Sequence, residues 1–82
     1  MHANSAAALR RGLHLTGWNT SDLWVAAVAI GGAFSHRDVG QITSGERRAT
    51  PAEHDILAAA FNDYFVDHGE DHPISYWSEL QP

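Results

Sequence analysis

Between Thr50 and Gly69 the chain reads TPAEHDILAAAFNDYFVDHG, with apolar positions recurring at helical spacing. At about 100° per residue, Ile56, Leu57, Ala60, Phe61, Tyr64 and Phe65 fall on one arc covering roughly half the circumference. A face this wide predicts a helix packed against at least two neighbours. His54 and His68 project within the arc, one near each end. Asp55, Asn62 and Asp63 lie outside it and are expected in water. Both ends carry signals: Thr50 as N-cap, Pro51 at the first helical position, Glu53 completing a capping box, and Gly69 as the left-handed stop.

A second apolar stretch, Leu23 to Ile30, has no polar face at all. Periodicity alone leaves it open to a buried strand or a buried helix. The cap cluster Asn19, Thr20 and Ser21, the early Asp22, the alanines and the stop at Gly31 and Gly32 favour helix. It is expected to be the central buried helix. Ala26 and Ala29 share a small face there that another backbone can approach closely.

Phe34 to Gly45 holds a third set of signals. Ser35 caps, Asp38 stands three residues on, and Phe34 and Val39 are spaced as a hydrophobic staple. Val39 and Ile42 form the inner stripe and Gly45 ends the helix. Gly40 weakens its middle by about 1 kcal/mol relative to alanine, so a close neighbour is expected beside it.

The ends are less regular. Asn4 or Ser5 caps a short helix through Leu9, Arg10 and Arg11, but Gly12 and Gly17 limit it; residues 1–17 are expected to be a flexible arm or a frayed helix. After Gly69 the chain reads EDHPISYWSELQP, where Pro73 excludes helix at His72 and Ser75 caps a last turn bearing Tyr76, Trp77 and Leu80. The pattern predicts an all-α fold, a small three- to four-helix orthogonal bundle over residues 18–82 with a short C-terminal aromatic tail.

Eighty-two residues allow one core. The absence of cysteine excludes disulfides, thiolate metal sites and cysteine nucleophiles. The longest apolar run is too short to span a bilayer, and the first residues lack the pattern of a secretion signal; a soluble cytoplasmic protein with no membrane role is expected. Net charge is −5, with five arginines and no lysine, a balance that opposes general phosphate-backbone binding. Arg10 and Arg11 are read as a solvated helix end rather than a nucleic-acid arm.

Chemistry-bearing residues are few. His68 and His72, among Asp67, Glu70 and Asp71, have metal-ligand character, but Gly69 and Pro73 break the helix that would align the rings. His36 and His54 lack a partnered nucleophile, an oxyanion turn or a phosphate loop. No catalytic residue, metal, cofactor or small-molecule site is assigned, and the chain is read as no enzyme. Tyr76, Trp77 and Leu80, with Ile74, either fold back on the core or dock on a partner.

The segment Ser35 to Arg47, SHRDVGQITSGER, resembles the recognition-helix region of the lambda-repressor-like helix-turn-helix family. There a capping serine, apolar residues four and seven positions on, and a glycine with a nearby arginine recur. Val28 and Ala29 fall where that family has a paired aliphatic and alanine, Ala33 takes the turn position, and Thr50 and Pro51 open the next helix. The resemblance spans Val28 to Pro51. It implies DNA reading by His36, Arg37, Asp38 and Gln41, with Arg47 and Arg48 near phosphates.

Two functions are therefore expected. The first is a small intracellular regulatory module acting through protein contacts or self-association, by the tail residues Tyr76, Trp77 and Leu80 or by the Ala26 and Ala29 face. The alternative is a helix-turn-helix DNA-binding regulator using Ser35–Ser44.

Overall fold

Short polar side chains open each α-helix. A computed structural model describes residues 4–80. Asn4 Oδ1 accepts from Ala7 N–H at 2.8 Å and starts α1, Ser5–Thr16. Asn19 and Asp22 form a reciprocal capping box at α2, Thr20–Ala29; Ser35 and Asp38 do so at α3, His36–Ser44, and Thr50 and Glu53 at α4, Pro51–Asp67. Each box satisfies two amides that a helix start leaves unpaired. A one-turn 3-10 helix, Trp77–Glu79, closes the described chain. Among the described residues the fold is all-α, as the sequence predicts.

The helices cross in a two-by-two arrangement: α1 and α2 each pack against both α3 and α4. Their shared core is Leu9, Leu23, Val39, Ile42, Leu57, Phe61 and Phe65. Burying side chains of this size is worth about 1.5–3 kcal/mol each. Thus α3 is carried chiefly on α1 and α2.

The stretch expected to be an arm or frayed helix differs most. Its described part is a helix with Leu9 wholly buried. Gly12, which reads as a breaker, is the contact that seats it. A Cβ there would lie 2.6 Å from two carbons of the Phe61 ring, so only glycine lets the aromatic approach. Trp18 stacks on Phe61 at 5.6 Å between ring centroids and meets Tyr64 edge-on at 5.3 Å. Residues 1–3 of the expected arm lie outside the described residues. Arg10 and Arg11 are exposed, as the sequence suggests, but they lie within α1 rather than at its end, and each reaches a carbonyl: Arg10 Nη1 donates to Thr43 O at 2.9 Å and Arg11 Nη1 to Pro73 O at 3.0 Å. They tie α1 to the end of α3, where a cation is favoured, and to the C-terminal segment.

Four further expectations are corrected. The α2 run is not a central buried helix. Only Leu23 and Ala27 are buried, while Val25, Val28 and Ile30 stand 61%, 46% and 43% exposed. Asn62 is buried rather than wet, because its amide clamps the returning chain. His68, expected to face inward, is exposed, with Nδ1 2.8 Å from Tyr64 O. No neighbour crosses at Gly40, where a Cβ would meet nothing within 4 Å.

Candidate functional site

The C-terminal segment folds back along α4, held mainly by side chains that read its backbone. Asn62 donates to Ile74 O at 2.9 Å and accepts from Ile74 N–H at 3.1 Å. Asp55 Oδ1 accepts from Trp77 N–H at 2.7 Å. His54, fully buried, has Nε2 2.8 Å from Ser75 O and Nδ1 2.7 Å from Ser5 Oγ. A carbonyl can only accept, so Nε2 carries the proton and Nδ1 takes the Ser5 hydroxyl hydrogen. This histidine therefore joins α1, α4 and the tail as a satisfied structural group, and its polar atoms are occupied rather than offered to a substrate. Ile74 is buried; Tyr76, Trp77 and Leu80, the residues singled out for partner binding, are half-buried, with the Trp77 ring edge-on to His54 at 5.9 Å. Among the two fates open to these aromatics, the fold-back is the one adopted.

The residues that the helix-turn-helix resemblance implies are divided. Arg37 and Arg48 are exposed and Gln41 half-buried. His36 is drawn toward α2, its Nε2 3.2 Å from Thr20 Oγ1 and 3.1 Å from Ser21 Oγ, and its ring stacks on Trp24 at 5.7 Å. Asp38 is engaged in its capping box, where the Ser35 N–H and hydroxyl, followed by Arg47 and Arg37, hold its carboxyl below the usual value. Arg47 grips Glu53 with two parallel hydrogen bonds of 3.1 and 3.2 Å and lies 3.9 Å from Asp38. The pair lowers the Glu53 carboxyl and raises the Arg47 guanidinium from their ordinary values. The bonds that Arg47 would offer a phosphate are thus spent on locking the loop to α4.

His68 and His72 are not brought into one ligand set. His68 tilts over Tyr64 at 4.2 Å, and His72 lies beside Asp71 at 3.6 Å. Among the described residues no three His, Asp or Glu side chains group as metal ligands.

Leu15 on α1 and Val66 on α4 are exposed singly, whereas the outer face of α2 exposes neighbouring apolar side chains. Val25, Val28 and Ala29 lie at helical i, i+3 and i+4 spacing on its solvent side, with Ile30 following and Trp24 at the margin. Trp24 is pinned by Nε1–H donating to Phe34 O at 2.9 Å. Trp24, Val25 and Val28 line an open hollow of about 120 Å³, room for an aliphatic side chain but well short of the roughly 300 Å³ or more of a small-molecule pocket. Compared with family models, curated proteins and solved structures, the chain matches none. The surface must be interpreted on its own chemistry. Sequence reasoning passed over Val25 and Val28 because a run apolar on every side has no direction, although Ala29 stood on the small face it proposed. The missing signal is geometric: two neighbouring helices cannot cover the full circumference of α2.

Proposed function

We propose that this chain is a small helical interaction module whose working surface is the outer face of α2. The observation carrying this reading is the pair of exposed valines Val25 and Val28, which line one hollow with a hydrogen-bonded Trp24. Scattered apolar side chains are normal on a surface, but contiguous ones anchored on a rigid helix mark contact sites. The reading moves the contact away from Tyr76, Trp77 and Leu80, whose segment is already engaged by α4, and keeps Ala29 from the small face. With net charge −5 and no lysine the chain is poorly suited to an anionic lipid surface, so the face is assigned to a protein partner. A photocrosslinking amino acid in place of Val25 should yield a discrete adduct in cells, and one in place of the exposed Ala52 should not. Equal, diffuse labelling from both positions would contradict the assignment.

A second reading, DNA binding through α3, is supported by the exposure of Arg37 beside Gln41. Net charge, the engagement of Arg47 by Glu53, and a connection over residues 30–35, longer than the usual turn of about 3–4 residues, weigh against it. It requires low-salt duplex binding that Arg37→Ala and Gln41→Ala weaken. Unchanged mobility of duplex DNA at low salt would end it.

A further inference from the structure

We infer that the face formed by α1 and α4 is a peptide-binding site, and that the C-terminal segment is its detachable internal occupant. The ligand class is a short non-helical peptide with an aliphatic side chain followed three residues later by an aromatic one. This site is separate from the α2 face and does not depend on it.

The site reads main chain. Arg11 Nη1 donates to Pro73 O, Asn62 Nδ2 to Ile74 O and His54 Nε2 to Ser75 O. Asn62 Oδ1 and Asp55 Oδ1 accept from the N–H groups of Ile74 and Trp77. These five groups belong to the backbone, which any chain supplies; proline alone is excluded, at the two positions whose N–H is read.

The spacing suits a peptide. Asp55 and Asn62 stand seven residues apart on α4, two turns along one face and about 10 Å. The residues whose amides they hold, Trp77 and Ile74, are three apart, a separation that extended chain also spans in about 10 Å. Side chains add selection: Ile74 fills a buried slot, and the Trp77 ring meets His54 edge-on. Asn62 and His54 are themselves buried, so these readers are held in place by the fold.

The occupant is lightly held. Among the described residues, no backbone hydrogen bond joins residues 71–80 to the helices; those from Glu79 N–H to Tyr76 O and from Leu80 N–H to Trp77 O stay inside the segment. Within residues 69–80 only Ile74 is buried, and Glu70, Asp71 and His72, which lead in, are exposed. Apart from Ile74, the core runs from Leu9 to Phe65 and precedes the segment. Release therefore opens Asn62, His54 and Asp55 to another peptide without unmaking the four helices. Tethering gives the segment an effective concentration on the order of millimolar, so it acts as a built-in competitor.

Fluorescence anisotropy of a labelled peptide of residues 72–80, HPISYWSEL, titrated with the full chain, tests this. Ile74→Ala and Trp77→Ala in the chain weaken the occupant and leave the readers untouched. Each should bind the peptide at least about tenfold more tightly than the parent, whose own segment blocks the site. The peptide carrying Ile74→Ala should bind these variants at least about tenfold more weakly. N-methylation at Trp77 of the peptide, which removes the N–H that Asp55 reads, should also weaken it. Circular dichroism checks that the variants remain helical. Peptide binding that is absent at about 1 mM, or no tighter than the parent's, in the folded variants overturns the inference. So does binding that the altered peptides reproduce. Loss of the helical fold in both variants also overturns it, since the segment would then be part of the core rather than its occupant.

Discussion

Individual side chains in this protein act mostly by deciding what another segment can rest on. Gly12 is the sharpest case. Alanine is the better helix former by about 1 kcal/mol, yet its methyl would collide with Phe61, which is wholly buried and stacked by Trp18. Overpacking of this sort costs about 1–3 kcal/mol, so Gly12→Ala is expected to lower stability by about 1 kcal/mol net, measured by urea denaturation. Unchanged or higher stability would mean that the ring moves aside freely. Asn62 makes the complementary case. Replacing it with leucine keeps the volume but strands the N–H and C=O of Ile74, both buried. Each stranded group costs about 1–3 kcal/mol; Asn62→Leu should lose roughly 2–4 kcal/mol and accelerate hydrogen exchange at Ile74. Slow exchange there in the variant would show that the tail is held without the clamp.

At the level of elements, the helix starts were legible because their chemistry is local. Asn19 with Asp22, Ser35 with Asp38 and Thr50 with Glu53 are each within three residues and form the boxes their spacing predicts. The inner stripe of Val39 and Ile42 was legible for the same reason. Gly12, Asn62 and the outer face of α2 were not, since each depends on which distant element arrives beside it. A polar position outside the apolar arc looks wet until Ile74 returns to it, and a glycine looks like a breaker until Phe61 packs on it. Gly40 shows the converse: the sequence implied a neighbour and none comes. With open space around it, Gly40→Ala should stabilise by about 0.5–1 kcal/mol, read as a higher melting temperature. The boxes also set an acid response. Glu53 is held below its ordinary value by Arg47 and then by Thr50, so the unfolded chain takes up its proton first as pH falls. Its contribution is complete above about pH 4.5 and fades as pH drops through the depressed folded value. The stability gap between the parent and Glu53→Gln should be widest near neutrality and narrow as pH falls through the depressed folded value. A gap independent of pH would show that charge on Glu53 is not what matters.

For the molecule as a whole, four helices around one small core leave one apolar helix half uncovered. Leu15 and Val66 are exposed elsewhere, but on α2 Val25 and Val28 share one side and flank the pinned Trp24. Packing thus points to α2 as the contact surface for a protein partner. The most direct measurement is photocrosslinking in cells from Val28, in the parent and in Val25→Asp. The expected result is a discrete adduct in the parent that folded Val25→Asp loses and that Leu15→Asp, on α1, keeps. Diffuse labelling in the parent, or an adduct that survives Val25→Asp, would contradict it.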